Sequence, residues 1–103
     1  MELIISNPED IAKISEALSS ITRVKILKLI GKESLGVTEI SEILKMSKGN
    51  ISSQISLLES LGLVEISYGP GIKGLKKLVK LKYDKIIIDL SSQTTTSFQE
   101  TDK

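Results

Sequence analysis

SKGNISSQISLLESLGLV, residues 47–64, joins two unlike halves of one helix. Ile51, Ile55, Leu58 and Leu61 recur at i, i+4, i+7 and i+10, an apolar line that anchors the helix on a core. Gly49, Ser52, Ser53, Ser56 and Ser60 lie opposite that line, with Asn50 and Gln54 to one flank. The N-terminal half thus offers Ser47, Lys48, Gly49, Asn50, Ser52, Ser53, Gln54 and Ser56. A face meant only for water is usually filled by Lys and Glu. Small hydrogen-bonding side chains suit close approach to the edges of bases instead. Ser47 is the expected cap of a helix over 47–61, and Gly62 its stop.

Upstream, Thr38 is the expected cap of another helix, with Glu39 and Glu42 near its positive end and Ile40, Ile43 and Leu44 facing inward. Lys45–Met46 leaves only a tight turn before Ser47. Asn7 followed by Pro8 marks an earlier helix start. Ile11, Ile14, Leu18 and Ile21 follow at helical spacing, so residues 8–19 read as an amphipathic helix. Ser20 caps Ile21–Gly31, which is apolar on most sides and reads as a central helix. Met1–Ser6 is too short to assign.

Downstream the period changes to two. Leu63, Ile66 and Tyr68 alternate with polar residues. GPGIKG, residues 69–74, is a turn rich in glycine, and Leu75–Tyr83 is the return strand. Because this loop joins strand to strand, it does not read as a phosphate-cradling nucleotide loop. Ile86–Leu90 fits a third strand or a helical turn equally. SSQTTTSFQETDK, residues 91–103, has no aliphatic residue and is expected to be a disordered polar tail. Residues 1–90 then form one domain: four helices and a small β-hairpin, mainly α, in the order of a helix-turn-helix followed by a wing.

Composition narrows function. The 103 residues include no Cys and no His, so there is no disulfide framework, and neither thiolate nor imidazole is available for metal binding or for base catalysis. No cofactor and no enzymatic activity are expected. No apolar run reaches the length of a membrane span, which points to a soluble, cytoplasmic protein. Net charge is only +1, but it is unevenly spread. Residues 45–85 carry eight lysines against three carboxylates, while the segments on either side are each net acidic by two. Clustered positive charge on the hairpin and the preceding helix is the footprint of a polyanion. Lys73 and Lys76 on the wing are expected to meet phosphates, and double-stranded DNA is the expected partner. Two other readings remain: a winged module used for protein contact, and a sequence-neutral architectural DNA binder. The polar, basic face opposes the first, and the acidic first third opposes the second. No effector is identifiable, so a small-molecule ligand stays open.

ALSSITRVKILKLI, residues 17–30, resembles the second helix of ArsR-type winged-helix repressors. Thr22 and Arg23 match that family's pattern, and Ile21 stands where proline is usual. VTEISEILKMSKGNISSQISLLESLGLVE, residues 37–65, resembles the family's helix-turn-helix, and the GN-I-S pattern at 49–52 is also similar to MarR-like regulators. The resemblance spans about residues 8–83. It implies a prokaryotic, archaeal-type transcriptional regulator that acts by occupying an operator. It further implies a homodimer built from the first helix and the segment after the wing, here Ile11, Ile14 and Leu18 with Ile86 and Ile88. For the last segment an ordinary core role is the alternative. Metal-sensing members open the third helix with Cys-Val-Cys. Here Gly36, Val37 and Thr38 stand there, so metal sensing of that kind is not implied.

Overall fold

The computed structural model describes residues 1–71 and 74–91. Lys73 and the expected tail from residue 92 onward lie outside the described residues. Eight elements follow in order: β1 (Glu2–Ile5), α1 (Pro8–Ala17), α2 (Ile21–Ile30), α3 (Val37–Leu44), α4 (Lys48–Ser60), β2 (Val64–Gly71), β3 (Gly74–Leu81) and β4 (Lys85–Ile88).

Local chemistry sets the helix ends. Asn7 Oδ1 accepts from the Glu9 and Asp10 N–H groups at 2.8 and 3.3 Å, which opens α1. The helix stops at Ala17, short of the expected residue 19. There the Ser19 hydroxyl donates to the Glu16 carbonyl at 2.6 Å, giving the last turn a side-chain partner instead of a further helical residue. Ser20 Oγ accepts from the Arg23 N–H and opens α2 as expected. The opening of α3 differs from expectation: Gly36, not Thr38, is the cap, and Thr38 lies within the helix. Glycine brings no capping side chain. The Glu39 carboxylate reaches back three residues and accepts from the Gly36 N–H at 2.7 Å. Ser47 caps α4 by accepting from the Asn50 N–H at 3.1 Å.

Gly62 ends α4 in the left-handed conformation, φ 77°. Its N–H donates to the Glu59 carbonyl and that of Leu63 to the Leu58 carbonyl. These are the two bonds of a Schellman cap, and its usual apolar clasp is present because Leu58 and Leu63 are both buried.

β2 and β3 pair antiparallel from Val64↔Leu81 to Gly71↔Gly74. The strands run farther than the expected turn over 69–74, leaving residues 72–73 between them. Pro70, which has no N–H to donate, is tolerated near the hairpin's end. Leu35, in the α2–α3 connector, exchanges two backbone bonds with Val79 at 2.7 and 3.2 Å, tying the wing to the helices.

β1 and β4 form a second sheet, parallel, with Glu2↔Lys85, Leu3↔Ile86, Ile4↔Ile87 and Ile5↔Ile88 opposed. Lys85–Ile88 is therefore a strand, and its partner is the N-terminal segment that the sequence left unassigned.

Ile26, Ile40, Ile51, Leu58, Leu63 and Val79 are fully buried at the centre, joining α2, α3, α4 and the base of the wing. Two expectations about facing fail. Ile43 is 52% exposed rather than inward, because Ile40 and the half-buried Leu44 define the packed side of α3. α2 is central on one side only: Ile26 and Ile30 are buried, whereas Val24 borders an open groove of about 760 Å³ together with Lys25, Lys28 and Tyr83.

Candidate nucleic-acid interface

α3, a tight turn and α4 place the polar half of α4 at the surface. Lys45 makes the turn by adopting the left-handed conformation, φ 58° and ψ 47°, a geometry a non-glycine residue takes at a cost. The Met46 N–H donates to the Ser41 carbonyl at 3.0 Å and closes it. Ile51, Ile55 and Leu58 then fix the rotation of α4 about its axis. Ser47, Lys48, Gly49, Asn50, Ser52, Ser53 and Ser56 are all exposed as a result. They form one surface at the N-terminal half of α4, where unsatisfied N–H groups and the helix dipole favour an anion. Lys45, not singled out from the sequence, is exposed at the same end and adds a further positive charge.

Gln54 is different. It is half-buried, and both ends of its amide are engaged. Its Oε1 accepts from Arg23 Nη1 at 2.9 Å, and its Nε2 donates to Asn50 Oδ1 at 3.1 Å. The same guanidinium donates through Nε to the Ala17 carbonyl at 2.8 Å and through Nη2 to the Glu16 carbonyl at 3.1 Å. Arg23 thus closes the C-terminal end of α1, sits on α2 and positions a side chain on α4. A planar, multi-donor group is needed to do all three. Sequence reasoning had matched Arg23 to a family pattern without giving it this task. The local signal, an arginine six residues past the end of α1, specifies no partner 31 residues on.

On the wing, Lys76 Nζ lies 2.9 Å from Glu39 Oε1, with both side chains about two-fifths exposed. The Gly36 N–H first, and the Lys76 ammonium second, hold the Glu39 carboxyl below its ordinary pKa. Lys76 is therefore partly neutralised from α3, and the ion pair links the wing to the helix before α4. Among the described residues no group of three or more His, Cys, Asp or Glu is placed to hold a metal ion.

The expected dimer residues are divided by the fold. Ile14 is 5% exposed and belongs to the protomer's own core. Ile11, Leu18 and Ile86 are partly buried against that core, and Ile88 is exposed.

Residues 20–65, from the cap of α2 through the start of β2, match the family model described as bacterial regulatory protein, arsR family. An HTH-type transcriptional regulator of Methanocaldococcus jannaschii is 32% identical over 80 residues, covering 78% of this chain and 84% of that protein. The chain belongs to the ArsR family. The cadmium resistance transcriptional regulatory protein CadC homolog of Staphylococcus aureus is 37% identical over 65 residues, 62% of this chain and 54% of that protein. Among solved structures, a homodimeric winged helix-turn-helix DNA-binding domain from Mycobacterium bovis, a possible ArsR-family regulator, superposes with a TM-score of 0.62 at 25% identity. The match covers 71% of this chain and 64% of that one. HlyU of Vibrio cholerae shares the fold at a TM-score of 0.63 and 21% identity, over 74% of this chain and 78% of that one. This ArsR-family chain is a winged helix-turn-helix of transcription regulation, not an enzyme. No helix among its described residues is long and apolar enough to cross a membrane.

Proposed function

We propose that the chain is a cytoplasmic regulator that occupies an operator as a homodimer, with α4 in the major groove and the wing against the backbone. The observation that carries this is the exposed face of α4 from Ser47 to Ser56, small, hydrogen-bonding and free of carboxylates. Ser52, Ser53 and Ser56 are its central base readers. Asn50 stands at the flank, where its alignment depends on Gln54. Ser47, Lys48, Lys73 and Lys76 serve the phosphates, contacts that set register and not sequence. The dimer reading is supported by the homodimeric relative. With Ile14 inside the protomer, it falls to Ile11 and Leu18 on α1 and to Ile86 and Ile88 on β4. The cadmium resistance in the CadC homolog's name is not carried over, since this chain has no Cys and no His to ligate a thiophilic metal.

A footprint on genomic fragments tests this. A two-fold dimer protects an inverted repeat with half-sites about 10–10.5 bp apart, centre to centre, or a multiple of that spacing. The protection is expected to persist in micromolar zinc or cadmium. Protection without symmetry, or none above random DNA, would overturn the operator reading.

A further inference from the structure

The β1–β4 pair is unusual in what it leaves open. Leu3–Ile5 and Ile86–Ile88 are apolar at successive positions, not alternate ones. That is the composition of strands covered on both faces. Within the protomer only the inner face is packed, by Ile5 and by the partly buried Leu3 and Ile86. On the outer face Ile4 and Ile87 stand side by side, 64% and 42% exposed. Among the described residues the sheet has two strands and therefore two unpaired edges. Isolated two-stranded sheets are marginal, and an apolar open edge is a template for another strand.

We propose that β4 pairs antiparallel with β4 of a second copy, about a two-fold axis through Ile87. The dimer is then spanned by one four-stranded sheet in the order β1–β4–β4–β1. The proposal rests on the homodimeric reading above and specifies how the copies join. Charge fixes the register. With the axis at Ile87, Lys85 of each copy lies opposite Asp89 of the other, and Ile86 lies opposite Ile88. Moving the axis one residue toward the N-terminus sets Lys85 against Ile87 and Asp84 against Ile88. Moving it one residue toward the C-terminus sets Asp89 against Ile87 and Lys85 against Ser91. Only the Ile87 register joins opposite charges, and opposed charges directly across a sheet are favourable where like charges are not.

The pleat strengthens the case. Lys85, Ile87 and Asp89 point to the same face, so the outer surface reads in rows. One row runs Glu2, Lys85, then Asp89 of the second copy, alternating in sign. The middle row runs Ile4, Ile87, Ile87, Ile4, a continuous apolar strip. Asp89 Oδ1 already accepts from the Ser91 N–H and hydroxyl at 3.0 and 2.9 Å, which leaves Oδ2 for lysine. The rival edge offers no such match. β1 paired with β1 about Ile4 would set Glu2 against Ser6.

Because the chain has no cysteine, Ile87→Cys supplies a single thiol. Across an antiparallel pair the two Cα atoms sit about 4.5–5.5 Å apart, within the 4.4–6.8 Å span of a disulfide. Oxidation with diamide is expected to convert most of the full-length variant to a covalent dimer of twice 11.3 kDa. Ile4→Cys is the control, since its two copies lie three strand spacings apart, about 14 Å, and stay uncoupled. Lys85→Asp is expected to raise the dimer dissociation constant at least about tenfold, and adding Asp89→Lys to restore it. A dimer that fails to couple at position 87, that couples equally at position 4, or that ignores the charge exchange overturns the shared sheet and leaves the dimer standing. A chain monomeric by native mass at every concentration, alone and on DNA, overturns both.

Discussion

Glu39 does two jobs with one carboxylate. It supplies the cap that Gly36 lacks and holds Lys76 of the wing. Replacing it with glutamine keeps an oxygen for the Gly36 N–H but releases the lysine. Glu39→Gln is therefore expected to tighten binding to cognate and random DNA alike, by about two- to fivefold, the scale of an exposed ion pair. Fluorescence anisotropy on the two DNAs checks it, and unchanged affinity on both would remove Lys76 from the interface. The same variant reads the pH dependence. A carboxyl whose folded pKa is depressed stabilises the fold above its unfolded pKa, and that stabilisation is lost as pH falls through the folded value. The difference in Tm between wild type and Glu39→Gln should be constant near neutrality and begin to shrink below about pH 4.3. Lys45 offers a separate test. Its left-handed backbone costs about 1 kcal/mol that glycine does not incur. Lys45→Gly is expected to raise Tm by up to about 4–8 °C while weakening DNA binding through the lost charge. A lower Tm would show that the lysine side chain contributes more than its backbone costs.

At the scale of elements, α4 was the most legible part of the chain. Ile51, Ile55 and Leu58 mark its buried line, and Ser47 and Gly62 mark its ends, because caps and periodicity are local and written within a few residues. Thr38 was misleading for the same local reason. A threonine followed by acids looks like a cap, but the helix opens two residues earlier and Glu39 reaches back to Gly36. The link between Arg23 and Gln54 was not legible at all, since no local pattern announces a bond across 31 positions. Its consequence is measurable. Arg23→Ala removes the charged donors that join α1, α2 and α4 and should cost roughly 1.5–3 kcal/mol of stability. It should also relax discrimination between cognate and random DNA, because Asn50 loses the support of an anchored Gln54. Ile55→Ala, a core truncation costing roughly 2–5 kcal/mol, should leave that discrimination unchanged at temperatures where it stays folded. Denaturant melts beside binding isotherms separate the two effects, and equal discrimination in both variants would reduce Arg23 to a brace.

Across the whole molecule, the helix order and the wing followed from the sequence because each of those elements announces itself locally, through a cap, a period or a turn between adjacent strands. The β1–β4 sheet breaks that rule. Its strands meet across more than eighty residues, and each alone is four residues long, too short for a period to show. Met1–Ser6 therefore carried no signal, and Ile86–Leu90 carried an ambiguous one. The basic patch on α4 and the wing was legible as charge, but not its partial neutralisation by Glu39.

The parallel pairing of β1 with β4 also gives the domain a mechanical property. Tension applied through the segments flanking residues 1 and 91 pulls β1 toward its N-terminal end and β4 toward its C-terminal end. In parallel strands those directions slide one strand along the other, so every bond of the ladder bears load at once. The β2–β3 hairpin, loaded from its open end, would part pair by pair. The small sheet is thus a clasp in shear across the two ends of the domain. Optical-trap pulling from both ends should give one abrupt rip at a higher force than pulling from residues 64 and 81. A gradual release from the ends at the lower force would mean the clasp bears no load.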